Sequence, residues 1–182
     1  MQRVKILDKE FELSIPSSVI HDTIDNIADR LNSDLKGKDV VFIGILNGVF
    51  MFVADLFKRL DFDCEISFLK LSSYDADRST GKVNTLIGIN EEIKGRTVVL
   101  TEDIVDTGVT LEHAVELLKE YDPLEIRIAT LLFKPDAYIK DININYIGLK
   151  IPDSFIIGYG LDYKGYGRNY QDIYAMCENS KL

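Results

Sequence analysis

The sequence contains few cysteine and histidine residues. Its 182 residues include 2 of each. Cys64 and Cys177 lie far apart in the chain, and neither they nor His21 and His113 show the spacing of metal ligands. A metal site built from cysteine or histidine is therefore not expected. Cys64 lies in a run of alternating apolar residues, which is typical of a reduced residue in a core.

Long apolar runs and an excess of positive charge are also absent. The longest apolar run, residues 40–46, is far too short to span a bilayer, and residues 1–8 are mixed in charge, unlike a signal peptide. The chain carries 21 Lys and Arg against 30 Asp and Glu, for a net charge of −9. This balance argues against a general nucleic-acid partner, although local groups can still hold phosphates. We therefore expect a cytoplasmic protein that contacts neither membrane nor nucleic acid.

The remaining composition is that of a soluble globular protein. Hydrophobic residues make up 46% of the chain and charged residues 28%, and residues 1–182 are expected to form one domain. The apolar patterns near residues 40, 65, 98 and 126 predict strands, and the continuous run at residues 40–46 is typical of a buried parallel strand. Stretches with helical apolar spacing, or a hairpin, separate these runs. The pattern predicts an α/β fold with a twisted, mostly parallel sheet flanked by helices.

The first part of the chain predicts a hairpin, a helix and a strand–loop–helix unit. Residues 4–13 alternate apolar and polar residues, and a helix with an apolar stripe follows from Ser17 to a stop at Gly37. Asn47-Gly48, after the first buried strand, is a common two-residue hairpin turn. The next residues have helical spacing instead, so we place Asn47 and Gly48 at the ligand-facing tip of a crossover.

Residues 98–111, VVLTEDIVDTGVTL, are the most informative part of the sequence. An apolar strand leads into an acidic loop with Glu102, Asp103 and Asp106, and helical spacing resumes at Leu111. Ligands bind at the carboxyl ends of strands in open α/β sheets, and a helix N-terminus with free N–H groups suits a phosphate. The two adjacent carboxylates suit sugar hydroxyls or a divalent metal. Ordinary helix capping is the competing interpretation of the Asp-Thr-Gly sequence.

Two further regions depart from the strand–helix pattern. Residues 72–84 are polar and lack periodicity, which predicts a mobile lid. The loop of a β-hairpin that returns at residues 85–89 is the plainer interpretation, and both can hold together. From residue 143 onward, helical periodicity is absent and short strand-like runs are rich in aromatic residues. We expect residues 143–182 to form most of a hood over the strand ends, with the N-terminal strand as a second contributor.

Two motifs resemble those of one enzyme family. Residues 101–110, TEDIVDTGVT, resemble the phosphoribosyl diphosphate (PRPP) motif of the type I phosphoribosyltransferases. Residues 151–168, IPDSFIIGYGLDYKGYGR, resemble the C-terminal signature of the hypoxanthine-guanine phosphoribosyltransferases. The order and spacing agree with that family from about residue 40 to residue 170. The resemblance implies the type I phosphoribosyltransferase fold, with a small hood subdomain and a mobile loop.

The resemblance assigns roles on the PRPP side of a site. It implies that Glu102 and Asp103 hold the ribose hydroxyls, partly through Mg²⁺. It implies that Asp106 lies near N7 of the purine and acts as the catalytic acid/base. The residues implied to cradle the 5′-phosphate are Thr107, Gly108, Val109 and Thr110.

The resemblance also assigns roles on the purine and pyrophosphate side. It implies that Lys134 donates to O6 of the base and that Phe155 stacks on the ring. Backbone groups at Ile156 and Asp162 would read the edge of the base, and the Asp162 carboxylate would help to bind a second Mg²⁺. The residues implied to contact pyrophosphate are Asn47, Gly48 and Arg168, and those implied to close over the site are Ser73 and Tyr74.

Several of these residues also have a purely structural interpretation. Lys134 could be a surface lysine at a strand end, and Arg168 could be a partner in an ordinary ion pair. Phe155 could belong to the core, and Asp162 could shape a turn. Asn47 departs from the family pattern, since many relatives carry a lysine there, and the resemblance implies a cis peptide bond before it.

The resemblance implies a purine salvage enzyme that is dependent on Mg²⁺. Its substrates would be PRPP and hypoxanthine, with guanine as a second base, and its products IMP or GMP and pyrophosphate. It also implies a homodimer or homotetramer, to which the apolar Phe50, Met51 and Phe57 could contribute. Two alternatives stay open: a PRPP-binding regulator of the same fold with little catalysis, and a phosphoribosyltransferase that prefers xanthine or a pyrimidine.

Overall fold

The computed structural model describes residues 2–71, 85–87 and 91–177, which form two sheets and three helices. The elements in chain order are β1 (Arg3–Ile6), β2 (Lys9–Ile15), α1 (Ser17–Leu35), β3 (Val40–Ile45), α2 (Phe50–Phe57), β4 (Glu65–Leu71), β5 (Thr85–Ile87), β6 (Thr97–Val105), α3 (Val109–Lys119), β7 (Glu125–Phe133), β8 (Tyr146–Lys150), β9 (Ile156–Ile157) and β10 (Ile173–Met176). None of these helices is long and apolar enough to cross a bilayer.

The main sheet has six strands in the order β5-β4-β3-β6-β7-β8. Strands β4, β3, β6, β7 and β8 run parallel, and β5 pairs antiparallel with β4 at one edge. The chain passes from β3 to β4 on one side and from β6 to β7 on the other, so the strand order reverses between β3 and β6. Their carboxyl ends border the crevice where open α/β sheets bind ligands. The predicted α/β class and mostly parallel sheet are confirmed.

Helices cover both faces of the main sheet. α1 and α2 pack on one face, and α3 packs on the other. The buried positions of α1 recur at helical spacing: Ile20, Thr23, Ile24, Ile27, Ala28, Leu31 and Leu35. Every residue of β3 is buried, because this strand lies between two helical layers and its side chains enter both cores.

The second sheet joins the two ends of the described chain. Its strands lie in the order β1-β2-β10-β9, and all neighbouring pairs are antiparallel. Ile15, Ile156 and Ile173 belong to the same core cluster as α1 and β3. The small sheet therefore packs against the helical layer of the main sheet. It also contributes to a second, smaller core cluster, formed by Phe11, Ile157, Tyr163 and Tyr174.

The position of β8 differs from the sequence-based expectation. Residues 143–182 were assigned to the hood, but β8 pairs parallel with β7, where Ala129 lies opposite Tyr146 and Leu132 opposite Leu149. β8 therefore belongs to the main sheet. The crossover between β7 and β8 contains no helix, so the periodicity that reveals the other parallel strands is missing here.

β6 is longer than its apolar run predicts. The sequence predicted a short strand followed by an acidic loop, but β6 continues to Val105 and includes Glu102 and Asp103. Pairing with β7 supports this extension, because Glu102 lies opposite Thr130 and Val105 opposite Phe133. Polar side chains at the end of a strand do not follow the buried pattern, so sequence periodicity placed the strand end too early.

An ion-pair network fixes the beginning of β7. Lys38 Nζ lies 2.8 Å from Glu125 Oε1, and Arg127 Nε lies 3.0 Å from Glu125 Oε2. The hydroxyl of Thr97, the first residue of β6, donates to Oε1 at 3.0 Å. These partners, chiefly the hydrogen bond from Lys38, lower the pKa of Glu125 to about 2. The network thus links the starts of β6 and β7 with the turn before β3.

Glu125→Gln is expected to lower the melting temperature at pH 7 by roughly 2–4 °C, because it removes the charge that three partners stabilise. The pKa of Glu125 in the folded protein lies below the usual 4.5, so its contribution is present above that pH and is lost as the pH falls toward about 2. Thermal melts across this range measure the difference. Glu116→Gln, at an exposed site on α3, is the control. A loss of melting temperature that is the same at every pH would show that the charge of Glu125 is not its cause.

Candidate active site

The crevice between β3 and β6 brings three chain segments into close contact. Asn47 and Gly48 lie one residue beyond the end of β3, and the Leu46–Asn47 peptide bond is cis. A Cβ atom at position 48 would overlap the carboxylate of Asp103. Gly160 of the hood, with a φ of +97°, packs so closely on the carbonyl oxygen of Gly48 that a Cβ atom would overlap there as well. Glycine at both positions permits these segments to meet.

Glu102 and Asp103 lie on opposite sides of β6. Glu102 is buried and lines a cavity of about 70 Å³ formed with residues 104–111. Asp103 contacts Gly48 beside β3 instead. Successive side chains on a strand point to opposite faces, so two acids within β6 cannot act side by side as they would from a loop. The structure thus places Glu102 next to the turn before α3 and Asp103 next to the hood.

Burial raises the pKa values of both carboxyl groups. Desolvation and the charge of Asp103 raise the pKa of Glu102 well above its usual value. Desolvation raises the pKa of Asp103 to about 6, against the lowering effects of backbone N–H groups and of Arg168. Carboxylates that are costly to ionise and lie in a crevice are typical of functional sites, where a cation or hydroxyl groups of a ligand can stabilise the charge.

The carboxylates of the crevice have the oxygen donors that Mg²⁺ prefers. Because Glu102 and Asp103 lie on opposite sides of β6, a cation bound at either carboxylate would offset the desolvation of that group. Within the described residues, no group of three or more His, Cys, Asp or Glu side chains is arranged to enclose an ion. Mg²⁺ is usually held by one or two carboxylates together with waters and substrate phosphates. These residues therefore fit a site that the substrate completes.

The turn at residues 107–110 leads into the N-terminus of α3. Gly108 is the N-cap, with a φ of +85°, and no side chain caps the helix. Thr107 Oγ1 lies 3.4 Å from the N–H of Val109, near the limit of a hydrogen bond. Ordinary side-chain capping is thus a poor explanation of this turn. Its first N–H groups lack intrahelical acceptors and border the small cavity, an arrangement that suits a phosphate.

The segment after β7 supports this turn from outside. A Cβ atom at Gly108 would overlap the ring of Tyr138, and the N–H of Ile139 donates to Thr107 O at 3.2 Å. The Tyr138 ring in turn packs edge-on against Phe133, with 5.2 Å between centroids. Sequence patterns assigned no role to Tyr138, because nothing local indicates that it contacts a turn far earlier in the chain.

Lys134 lies at the carboxyl end of β7 and is buried, with 6% of its surface exposed. Its Nζ donates to Asp106 Oδ2 at 3.0 Å and to Asp153 Oδ1 at 3.1 Å. Its backbone N–H donates to Val105 O at 3.0 Å, which ties the end of β7 to the end of β6. The interpretation of Lys134 as a surface lysine is therefore wrong. Asp153 lies within the C-terminal signature, but no role was assigned to it from sequence.

The hood places Asp162 and Arg168 beside Asp103. Arg168 Nη2 lies 2.6 Å from Asp162 Oδ1, and Nη1 donates to Gly160 O at 2.6 Å. Asp162 Oδ2 also accepts a bond from the N–H of Gly165 at 2.6 Å, so it shapes a turn as well. Arg168 lowers the pKa of Asp103 and Asp162 raises it, which reflects their proximity. The structure thus gathers two predicted pyrophosphate contacts, Gly48 and Arg168, around Asp103.

Phe155 and Ile156 differ sharply in exposure. Phe155 is 44% exposed and contacts Tyr163 edge-on, with 5.8 Å between ring centroids. It is therefore not a core residue, and its ring is accessible to a planar ligand. The side chain of Ile156 is buried in β9, so only its backbone could contact a ligand.

Tyr159 anchors the hood to α2, a role that sequence patterns did not indicate. Its hydroxyl donates to Asp55 Oδ2 at 2.6 Å. Tyr159 has a φ of +49° and lies between Gly158 and Gly160, which also have positive φ. A tyrosine in this conformation needs tertiary contacts to hold it. Asp55 therefore helps to fix the hood turn that contacts Gly48.

Two features lie apart from this cluster. A larger cavity of about 730 Å³ lies between α3, the start of β7 and residues 141–145, and none of the predicted site residues lines it. Several of its acids are already paired, as Glu125 is with Lys38 and Arg127. Ser73 and Tyr74, the predicted residues of the lid, lie outside the described residues.

Asp103→Asn is expected to raise the melting temperature of the metal-free protein at pH 7 by at least roughly 2 °C, because an amide avoids a buried charge. The pKa of Asp103 rises from 3.8 to about 6 on folding, so the carboxylate destabilises the fold above this window and not below it. The gain in melting temperature should shrink as the pH falls from about 6 toward 3.8. Thermal melts measure it, with the exposed Asp141→Asn as control. An equal gain at every pH would refute the electrostatic cause.

Known proteins are similar to this chain in both sequence and architecture. The family described as "Phosphoribosyl transferase domain" matches residues 17–164. A hypoxanthine-guanine phosphoribosyltransferase of Streptococcus pneumoniae (strain ATCC BAA-255 / R6) is 40% identical over 165 residues, which are 88% of this chain and 92% of that protein. The corresponding protein of Staphylococcus aureus (strain Mu50 / ATCC 700699) is 39% identical over 159 residues, or 87% of this chain and 89% of that protein.

Solved structures show the same similarity. The crystal structure of a hypoxanthine phosphoribosyltransferase from Staphylococcus aureus, in its tetragonal form, is similar with a TM-score of 0.87 at 37% identity. The alignment covers 94% of each chain. These similarities confirm the resemblance seen in the two sequence motifs. The chain therefore belongs to the phosphoribosyltransferase family of pentosyl-transferring enzymes and groups with the hypoxanthine-guanine phosphoribosyltransferases.

Proposed function

We propose that the protein transfers the 5-phosphoribosyl group of PRPP to N9 of hypoxanthine or guanine, forming IMP or GMP and pyrophosphate with Mg²⁺. The observation that carries this proposal is the meeting of three chain segments at the carboxyl ends of β3, β6 and β7. There Asp103 contacts Gly48, and Lys134 pairs with Asp106. The names of the similar bacterial proteins support the same activity.

PRPP binds along the two sides of β6 in this proposal. The free N–H groups and hydroxyls of residues 107–110 hold the 5′-phosphate, next to Glu102. Asp103, on the other side, faces the ribose hydroxyls and the pyrophosphate. The groups that contact pyrophosphate are Asn47, Gly48 and Arg168. Asn47 supplies an amide where many relatives supply a lysine, so the pyrophosphate site has one charge fewer.

The Asp162–Arg168 pair must change partners for PRPP to bind. In the structure Arg168 is bound to Asp162. Pyrophosphate offers Arg168 a stronger anionic partner, and this frees the Asp162 carboxylate for a second Mg²⁺. The Mg²⁺ ions, when bound, neutralise pyrophosphate as a leaving group.

The purine binds between the end of β7 and the hood. Phe155 stacks on its ring, and backbone groups of Ile156 and Asp162 contact its edge. Lys134 donates to O6. Asp106 accepts the proton of N7 while N9 forms a bond to C1′ of the ribose and the bond from C1′ to pyrophosphate breaks.

The mechanism also requires stabilisation of the charge on the ribose and exclusion of water from the site. The transition state is oxocarbenium-like, and the carboxylates of Glu102 and Asp103 favour positive charge on the ribose. Water must be excluded because PRPP would otherwise be hydrolysed. We assign this exclusion to the lid with Ser73 and Tyr74.

We further propose one phosphoribosyltransferase domain over residues 1–182, in the cytoplasm, with the four-stranded sheet as its hood. The shared core of Ile15, Ile156 and Ile173 with α1 supports a single domain. We also propose a homodimer or homotetramer in which the N-terminus of α2 contributes to an interface. Phe50 there is 45% exposed, which leaves an apolar side chain available for such a contact.

Parallel initial-rate assays with PRPP, Mg²⁺ and hypoxanthine, guanine, xanthine or adenine test this function. We expect rapid formation of IMP from hypoxanthine, turnover of guanine, and loss of activity with a chelator. A preference for xanthine would support the alternative of a xanthine-preferring phosphoribosyltransferase. Turnover of no base, together with retained PRPP binding, would favour a PRPP-binding regulator, and a gel-shift with salt titration would then test for nucleic acid.

Asp106→Asn is expected to lower kcat by roughly 10²- to 10⁴-fold, because an amide cannot accept the proton of N7. The Kd for PRPP should change far less, since other groups hold the phosphates. Steady-state kinetics and PRPP titration measure the two effects. Asp136→Asn removes the same charge at an exposed site nearby and serves as control. A near-normal kcat would refute the acid/base role.

Phe155→Ala is expected to raise KM for hypoxanthine by roughly three- to tenfold through loss of ring stacking. KM for PRPP and the melting temperature should remain close to wild type, because the ring is half-exposed. Tyr166→Ala removes another exposed aromatic ring of the hood and is the matched control. An unchanged KM, or a large loss of stability, would mean that Phe155 is structural.

A further inference from the structure

The ammonium group of Lys134 has two carboxylate partners from different strand ends. Asp106 follows β6, and Asp153 follows β8. Their oxygens lie 3.0 Å and 3.1 Å from Lys134 Nζ. An ammonium group has three N–H donors, so these two bonds leave one donor free. The direction of that donor is set by both carboxylates together.

The two carboxylates differ in what the proposed reaction requires of them. Asp106 must accept a proton from the purine and is neutral once it has done so. Lys134 remains buried and charged at that moment, and a buried charge without a partner is costly. Asp153 is the second anion within reach of Lys134 Nζ. It can hold the ammonium group while Asp106 engages the base.

The backbone places Asp153 independently of Lys134. The N–H of Ile151 donates to Phe133 O at 2.9 Å, which fixes the chain beside the end of β7. The N–H of Ser154 donates to Pro152 O at 2.9 Å and closes a tight turn around Asp153. The side chain of Asp153 is largely exposed, with one oxygen directed to the buried ammonium group. Because Asp106 still pairs with Lys134 when Asp153 is changed, the loss of Asp153 leaves the buried ammonium group with a partner in the folded protein, so a role in activity can be separated from a structural one.

We propose that Asp153 is a positioning residue for the base, a role that rests on the proposed function. Its carboxylate orients Lys134 Nζ so that the third N–H points to O6 of a 6-oxopurine. It also balances the charge of Lys134 while Asp106 takes up the proton of N7. Without Asp153, Asp106 is the one of these two carboxylates that still pairs with Lys134. The base must then compete with Asp106 for the ammonium group.

Asp153→Asn tests this role by steady-state kinetics. We expect kcat/KM for hypoxanthine to fall roughly tenfold or more, as for loss of a charge-assisted hydrogen bond. KM for PRPP should stay within about twofold, and the melting temperature should change little. Asp153→Glu, which keeps the charge, should recover part of the loss. Asp136→Asn, an exposed carboxylate of the same local segment as Lys134, is the control and should resemble wild type.

A double-mutant cycle with Lys134→Gln separates positioning through Lys134 from any other effect. In the Lys134→Gln background, Asp153→Asn should change the residual kcat/KM by less than about twofold. Equal losses in both backgrounds would show that Asp153 acts without Lys134 and would overturn the inference. Wild-type turnover of hypoxanthine with an unaffected Asp153→Asn variant would overturn it as well, while leaving the proposed function intact. A wild-type protein that turns over no base would refute both the proposed function and the role of Asp153.

Discussion

The close approach of β3, β6 and the hood at Gly48 is the contact on which the site depends. Gly48 lies against the Asp103 carboxylate on one side and against Gly160 on the other. A side chain at either glycine would separate the segments that carry the acids from those that carry Arg168. The parallel sheet makes this meeting possible, because the strand order reverses between β3 and β6 and leaves a crevice there.

Charge organises the rest of the site around this crevice. Burial raises the pKa values of Glu102 and Asp103, so ionising these acids is costly unless a cationic or hydroxyl-bearing ligand stabilises the charge. Lys134 is a buried cation held by Asp106 and Asp153. The fold itself holds these groups in place, which avoids the cost of reorganising them during a reaction.

Much of the fold could be predicted from the sequence because its signals are local. Helix α1 and the continuous run of β3 were predicted close to their observed bounds, and a strand was predicted near residue 126, where β7 lies. Signals that depend on tertiary contact were missed. The polar end of β6 is held in its strand by pairing with β7, and β8 joins the main sheet without a preceding helix, so neither has the periodicity of its neighbours.

The sequence by itself determined which residue types carry the chemistry and in what order, because the PRPP motif and the C-terminal signature are each continuous in the chain. Only the tertiary structure decided how they combine. Strand alternation separated Glu102 from Asp103, burial distinguished Lys134 from a surface lysine, and exposure distinguished Phe155 from a core residue. Asp153, Tyr138 and Tyr159 acquire their contacts from segments far away in the chain, and no local pattern reports such contacts.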